Sequence, residues 1–491
     1  MFRYVHKWSG LILGPVIIIW FLSGMVMMYA DHPVSHKTAH GRLEAMAPLT
    51  ALDVKLNFQE AWSAVGLTDE PEEVRLNILM GRPAYFFRSA GCSPVVVWAD
   101  TGEKLEMVTR ETAVRSASQY LNKPLSPVQV TRLDTPDQWT VGTGTASWDW
   151  PLYRIHLDDP GGTLVYVSQQ SAEVCQVVDR QQRLTAWLGS IPHWLYFTSL
   201  RQYRELWRQV ILWLAGAGTV SAGIGLMVGI RYFRWKGFGR GQYLRSSPFM
   251  GIRRLHHLLG LIFGITTIAW IFSGMLSLSP FHWCSSTRPS HAEIMALSGG
   301  DLSLSEFTLH PVQAAEACQS RIEVRMITPV MVNKLPYYLC WESPGRSLIV
   351  RADGPGYPVL RYFPPETIQQ AAGRLVPSDP PPLFSILNTS DLYLSKHDHR
   401  LRFPVLRVIS GDSQHTRFYI DMHTGAIAAK YDWSARLNRW LYRFLHCYDT
   451  PFFITHHIVR DILMWGMLLG GTVLSGTGLW SWMVSYRRRK K

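Results

Sequence analysis

Four stretches of the chain are long, predominantly apolar and uncharged: Trp8–Tyr29, Val210–Ile230, Leu258–Leu278 and Ile462–Val484. As helices rising ~1.5 Å per residue, each spans a hydrocarbon layer of ~30 Å. The pattern predicts an α-helical integral membrane protein with four transmembrane helices. Between these runs the period changes. Pro151-Leu-Tyr-Arg-Ile, Thr163-Leu-Val-Tyr-Val, Pro404-Val-Leu-Arg-Val and Thr416-Arg-Phe-Tyr-Ile alternate apolar and polar positions and end in turns, the signature of short antiparallel strands. Val95-Val-Val-Trp and Leu348-Ile-Val-Arg predict a further strand–turn unit each. Arg183–His193 and Arg436–His446 predict amphipathic helices leading into the next span, whereas Ser126–Asp137 and Asp379–Leu383 have the composition of surface loops.

The pattern occurs twice. Arg3-Tyr-Val-His6 through Ser23-Gly24-Met25 returns as Arg253-Arg-Leu-His256 through Ser273-Gly274-Met275 at an offset of 250, and the strands and interfacial helices match at an offset of 253. Thr219-Val-Ser-Ala-Gly223-Ile-Gly225 likewise matches Thr472-Val-Leu-Ser-Gly476-Thr-Gly478. We therefore expect a tandem parallel duplication. Its spans are 1–30, 206–231, 256–280 and 456–486. Two α+β regions, 31–205 and 281–455, each end in an interfacial helix, with a loop at 232–255 and a tail at 487–491. Both halves enter the bilayer in the same direction, so a pseudo-twofold axis along the membrane normal is expected.

Charge sets the orientation. The net charge of +13 resembles a nucleic-acid signal until it is mapped. Arg3, Lys7, the basic residues from Arg231 to Arg254 and those of Arg487–Lys491 make 14 cations with no acid among them, and the rest of the chain carries −1. This is the positive-inside pattern. It places both termini and the 232–255 loop in the cytoplasm, the α+β regions outside, and assigns no nucleic-acid partner. The first run exceeds the apolar core of about 7–15 residues in a signal peptide, and Met28-Tyr29-Ala30 matches a cleavage site poorly, so the segment is expected to remain as an anchor. All six cysteines fall in the outer regions, where disulfides are permitted. Their pairing is not deducible, and the lack of Cys-x-x-Cys argues against zinc ribbons and covalent c-type haem.

Histidines at matched places are the candidate chemistry. His6 is followed at four and eight residues by Gly10 and Gly14, and His256 by Gly260 and Gly264, one helical face in each copy. Packing alone requires the glycines but not the histidine, so its recurrence favours a metal ligand beside a flat slot. The twofold axis sets His6 opposite His256 at one membrane face and His193 opposite His446 at the other. Secondary candidates are His257, His456 and His457, and the matched pair His32 and His282. His32, His36 and His40 have helical ligand spacing without a full counterpart, and His397 and His399 suit a solvated turn. Trp20 and Trp270 recur mid-span, as packing or as an electron relay.

The openings His6-Lys-Trp-Ser-Gly and His256-His-Leu-Leu-Gly, the turn Asp421-Met-His-Thr-Gly, and Trp440-Leu-Tyr-Arg-Phe-Leu-His446 leading to Leu474-Ser-Gly-Thr-Gly-Leu-Trp resemble the PepSY-associated transmembrane family over nearly the whole chain. The resemblance implies periplasmic α+β PepSY-like domains. Through members such as ferric-siderophore reductases of the FoxB type, it also implies two haem b groups. Haem b needs only imidazoles and an apolar slot, so His6/His256 and His193/His446 are the expected iron ligands. The function implied is an oxidoreductase of the bacterial inner membrane that carries electrons to a periplasmic acceptor such as a ferric siderophore. Electrons would come from quinol or a cytoplasmic donor, since no dinucleotide fingerprint follows a strand. The alternative is a non-redox envelope protein that binds or inhibits a peptidase. A permease is disfavoured because the four apolar runs carry no charged residue.

Overall fold

The computed structural model describes the chain apart from residues 31, 34–42, 44–45, 50–53, 67–70, 90, 143–148, 235–245, 377–379, 395–400 and 488–491. His36, His40, His397, His399 and residues 235–245 of the 232–255 loop therefore lie outside the described residues. The chain divides into two compact units, one comprising residues 1–33, 181–284 and 436–491, the other 34–180 and 285–435.

Among its described residues the first unit holds four helices long and apolar enough to cross a membrane: Phe2–Met27, Arg204–Tyr232, Ile252–Leu276 and His457–Arg487. They begin and end within a few residues of the apolar runs. The first takes in Arg3 and Lys7 ahead of its run, because polar side chains at a helix end can remain in the interface. The first helix packs against the second and fourth, and the third against the same two, so the first and third lie diagonally across the bundle. Leu13, Ile17, Phe21, Met25, Ala215, Trp270, Ile271 and Leu468 form its interior. Close approach depends on glycine: a Cβ at Gly471 would overlap the ring of Phe21, and one at Gly470 that of Phe263. Short helices Arg180–Leu188 and Ser190–Trp194 precede the second span. Trp433–Asn438, a π-turn at Arg439–Phe444 and Leu445–Cys447 precede the fourth. Leu195 and Tyr448, at matched positions of the two halves, both adopt left-handed backbone, with φ of 52° and 51°.

The second unit is built from antiparallel meanders. Strands β1 (Glu73–Leu79), β2 (Arg82–Arg88) and β3 (Val95–Trp98) join β8 (Met326–Val332), β9 (Leu335–Ser343) and β10 (Arg346–Arg351) in one six-stranded sheet, ordered β10-β9-β8-β1-β2-β3. β4 (Pro127–Leu133), β5 (Leu152–Leu157), β6 (Leu164–Ser168) and β7 (Val174–Val178) form a four-stranded sheet. β11 (Leu383–Leu387), β12 (Val405–Ile409), β13 (Arg417–Asp421) and β14 (Ile427–Tyr431) form another. The regions 31–205 and 281–455, expected as two bodies, thus share a sheet through β1 and β8, whose register pairs Leu76 with Ile327 and Asn77 with Met326. The loop expected at Ser126–Asp137 is in part the edge strand β4, and the one expected to end at Leu383 runs into β11. Both strands are largely exposed, so neither shows the alternation of a half-buried strand, and an edge tolerates Pro127.

Contacts recur at matched positions. The Tyr85 hydroxyl donates to the Leu56 carbonyl at 2.5 Å and that of Tyr338 to Leu309 at 2.9 Å. Tyr166 and Arg154 both bond Asp137, as Tyr419 and Arg407 bond Asp391. A buried phenol needs an acceptor, and each half supplies it in the same way.

Candidate functional site: two histidine pairs in the bundle

The helical unit gathers the four matched histidines into two pairs. At the leading end, where the first and third helices begin, the rings of His6 and His256 have centroids 6.2 Å apart. At the trailing end His193, on its short helix, meets His446 at the same 6.2 Å. Along the first helix the two ends, marked by His6 and Ser23, are about 25 Å apart at ~1.5 Å per residue.

Each ring is held by Nδ1. His6 Nδ1 donates to the Ser221 carbonyl at 3.0 Å, and His256 Nδ1 to the carbonyl of Leu474, 253 positions after Ser221, at 3.1 Å. His193 Nδ1 donates to the Trp20 carbonyl and to Ser23 Oγ, both at 3.1 Å. His446 Nδ1 donates to Ser273 Oγ at 3.0 Å. Ser23 and Ser273 give their own protons to carbonyls of Ile19 and Trp270, so they accept from the imidazoles. Because a carbonyl, or a hydroxyl whose own proton is given elsewhere, can only accept, Nδ1 carries the proton in all four rings and Nε2 keeps a lone pair. Burial pushes His193 and His446 down to about 4, which keeps both neutral near pH 7.

A separation of 6.2 Å also suits an ordinary aromatic pair. The tautomer distinguishes the two cases, since simple packing does not require four imidazoles to keep the Nε2 lone pair for a further partner. Two metal–nitrogen bonds of about 2.0–2.1 Å plus two imidazole ring radii of about 1.1 Å add to about 6.3 Å. The centroid separation of each pair is close to that sum, and each ring carries an outer oxygen bond of the kind that orients a metal-bound histidine. Among the described residues no three His, Cys, Asp or Glu side chains form a metal cluster, so each pair stands as two imidazoles.

The rings rest on glycines of neighbouring elements. A Cβ on Gly225 would overlap His6, and one on Gly478, the counterpart of Gly225, would come 3.2 Å from His256. Gly24 and Gly274 stand in the same relation to His193 and His446, at 3.5 and 3.3 Å. The glycines singled out from the sequence lie elsewhere: Gly14 faces Leu479, Gly260 faces Leu474, Gly264 faces Leu226, and a Cβ on Gly10 would meet nothing within 4 Å. Gly225 and Gly478 belong to the recurring Gly-x-Gly of the second and fourth spans, and that recurrence was the signal available for them.

The remaining histidines divide by their hydrogen bonds. His257 is buried with both nitrogens engaged, Nδ1 with Ser247 Oγ and Nε2 with the Gly229 carbonyl, each at 2.8 Å. It fastens the chain at Ser247 to the second span and has no lone pair to offer. His282, His456 and His457 are exposed, and His456 stacks on Phe452. His32 is buried; its Nδ1 bonds Ser190 Oγ at 2.7 Å while Nε2 has no partner among the described residues. Trp194 and Tyr196 pack around it, and burial holds its pKa down to about 4. Trp270 packs on Phe21 and Tyr448, and the indole N–H groups of Trp20 and Trp270 are buried without partners among the described residues.

No curated protein matches the chain. Residues 3–485 match the family model described as the PepSY-associated TM region, and the chain therefore belongs to that family, as a multi-pass membrane protein carrying β-rich domains.

Proposed function

We propose that this protein is a parallel duplication that holds two haem b groups and conducts electrons across the bacterial inner membrane to a periplasmic acceptor, a ferric siderophore. The observation that carries the reading is the matched set of four imidazoles. They are arranged as two pairs at 6.2 Å, every Nδ1 is held by a backbone or hydroxyl oxygen, and every Nε2 keeps its lone pair. His6 with His256, and His193 with His446, are the residues that would hold the cofactors. Haem b supplies reversible one-electron chemistry at iron. The chain's own part is to fix the tautomers, to raise ligand basicity through the Nδ1–H bonds, and to keep water from the interior with Phe21, Ile271 and Leu468. Quinol, or a soluble donor drawn to the basic face, would supply electrons at the leading end. The positive-inside pattern supports a cytoplasmic leading end and a periplasmic β-rich unit.

Protein purified from haem-replete cells is expected to be red, with a b-type reduced-minus-oxidised spectrum and two haems per chain. Colourless protein overturns the reading and favours a non-redox envelope module. Reporters inserted at Asp100 and Asp353 are expected on the periplasmic side and one at the C-terminus in the cytoplasm. Anaerobic mixing of the reduced protein with a ferric siderophore should reoxidise it; an unchanged spectrum removes that acceptor.

A further inference from the structure

Cys318 ends the helix Pro311–Cys318, and Cys340 lies in the middle of β9, against which that helix packs. Both are fully buried in the same core. The Cys340 thiol reaches the Ala314 carbonyl at 3.8 Å, and Ala314 lies one helical turn before Cys318. The two thiols are near enough to influence each other's ionisation. The equivalent positions in the first half are Val65 and Phe87, both part of the same apolar core. One half thus fills this place with hydrocarbon and the other with a pair of sulfurs. A lone buried cysteine is adequately explained as a small apolar filler. Two on packed elements of one core, in a region read as extracytoplasmic, are placed to bond.

We propose that Cys318 and Cys340 are joined by a disulfide in the mature protein. The inference rests on the reading that residues 285–435 face an oxidising compartment. Two S–H bonds break and one S–S bond forms. The two electrons and two protons pass to the disulfide of an envelope thiol oxidase, which leaves as its dithiol. Since neither sulfur is accessible in the folded core, the bond forms before the core closes. It pins the last turn of the helix to β9, whose neighbour β8 carries the pairing with β1, so it braces the element that joins the two halves of the six-stranded sheet.

The test uses the full-length protein in its native membrane. Intact spheroplasts are treated with a membrane-impermeant maleimide to report exposed Cys92. A parallel sample is quenched in acid, denatured, alkylated without reductant and mapped by mass spectrometry. The expected result is a linked Cys318–Cys340 peptide pair lighter by two hydrogens, no alkylation of either residue before reduction, and complete alkylation after. Cys318→Ala and Cys340→Ala should each release the remaining thiol to full alkylation; should either variant fail to accumulate, the wild-type map decides alone. Full alkylation of both residues in unreduced protein whose Cys92 labels in spheroplasts overturns the disulfide and leaves the orientation standing. Full alkylation with Cys92 protected until lysis overturns both.

Discussion

The surroundings of His193 and His446 agree where each imidazole meets the first or third helix and part company elsewhere. Ser23 and Ser273 accept from Nδ1, Gly24 and Gly274 lie under the rings, and left-handed residues follow two positions later. Beyond these contacts the halves differ. Tyr442, whose ring lies 5.6 Å from that of His446, corresponds to Gly189. Ser190, which bonds His32, corresponds to Arg443, and Tyr196, which packs on His32, corresponds to Asp449. Arg443 and Asp449 form an ion pair at 3.4 Å, and Arg439 donates to the Asp449 carbonyl. His282, the counterpart of His32, is exposed. The positions kept alike are those that hold Nδ1 and seat the ring on glycine, while the other neighbours are free to change. The trailing end therefore offers a neutral histidine in aromatic surroundings on one side and charge on the other.

The largest effect expected tests the shared part. If the four imidazoles hold haem as proposed, His6→Ala, His256→Ala, His193→Ala and His446→Ala should each remove one iron ligand and lower haem per chain by about half, with loss of low-spin character at one end. His257→Ala and His456→Ala should leave the haem spectrum unchanged. Losses confined to His32, His282, His456 or His457 would show that the ligands lie elsewhere.

Acid probes the divergent part. His32 is held down to about 4, against about 6.5 in an unfolded chain. Between these values the unfolded state binds more protons, so stability falls as pH drops from about 6.5 to about 4, by up to about 3 kcal/mol for this one group. His32→Asn should flatten the acid limb of a pH–denaturation series, and His282→Asn should leave it as in wild type. Equal slopes in the two variants would remove His32 from the asymmetry.

Close packing gives a smaller contrast at the leading end. Gly225→Ala drives a methyl into His6, whereas Gly478→Ala only crowds His256. Overpacking of this kind costs about 1–3 kcal/mol, so the first variant should melt at the lower temperature; equal melting temperatures would mean the two rings are seated alike. The smallest effect is expected from Ser23→Ala and Ser273→Ala. Each loses one hydrogen bond, about 1 kcal/mol, and should shift one midpoint potential upward as the ligand becomes less basic. Similar shifts are expected in both, and a shift in only one would break the equivalence.

The spans were legible because uncharged runs of membrane length have few other structural uses, and the four histidines because they recur at offsets shared with their surroundings. The glycines beneath the rings were not legible as such. Gly10 and Gly14 sit on the same helical face as His6, but the ring leans on Gly225 of another span, and local periodicity does not say which helices are neighbours. Nor could alternation reveal β4 or β11, whose exposure erases it, or the union of the two β regions. That union depends on a short register between strands from opposite halves of the chain.

The β1–β8 register also sets an order of events during synthesis. β1 can pair with β2 as soon as the first hairpin emerges, but its other side waits for Met326 and Ile327. At about 5–20 residues per second, the roughly 250 intervening residues, which include two membrane insertions, take about 12–50 s. For that interval the nascent chain displays an open strand edge, the kind of surface to which other chains add. Assembly of this protein is therefore exposed to crowding during its own translation, and a holding chaperone would have its greatest effect before β8 has been made.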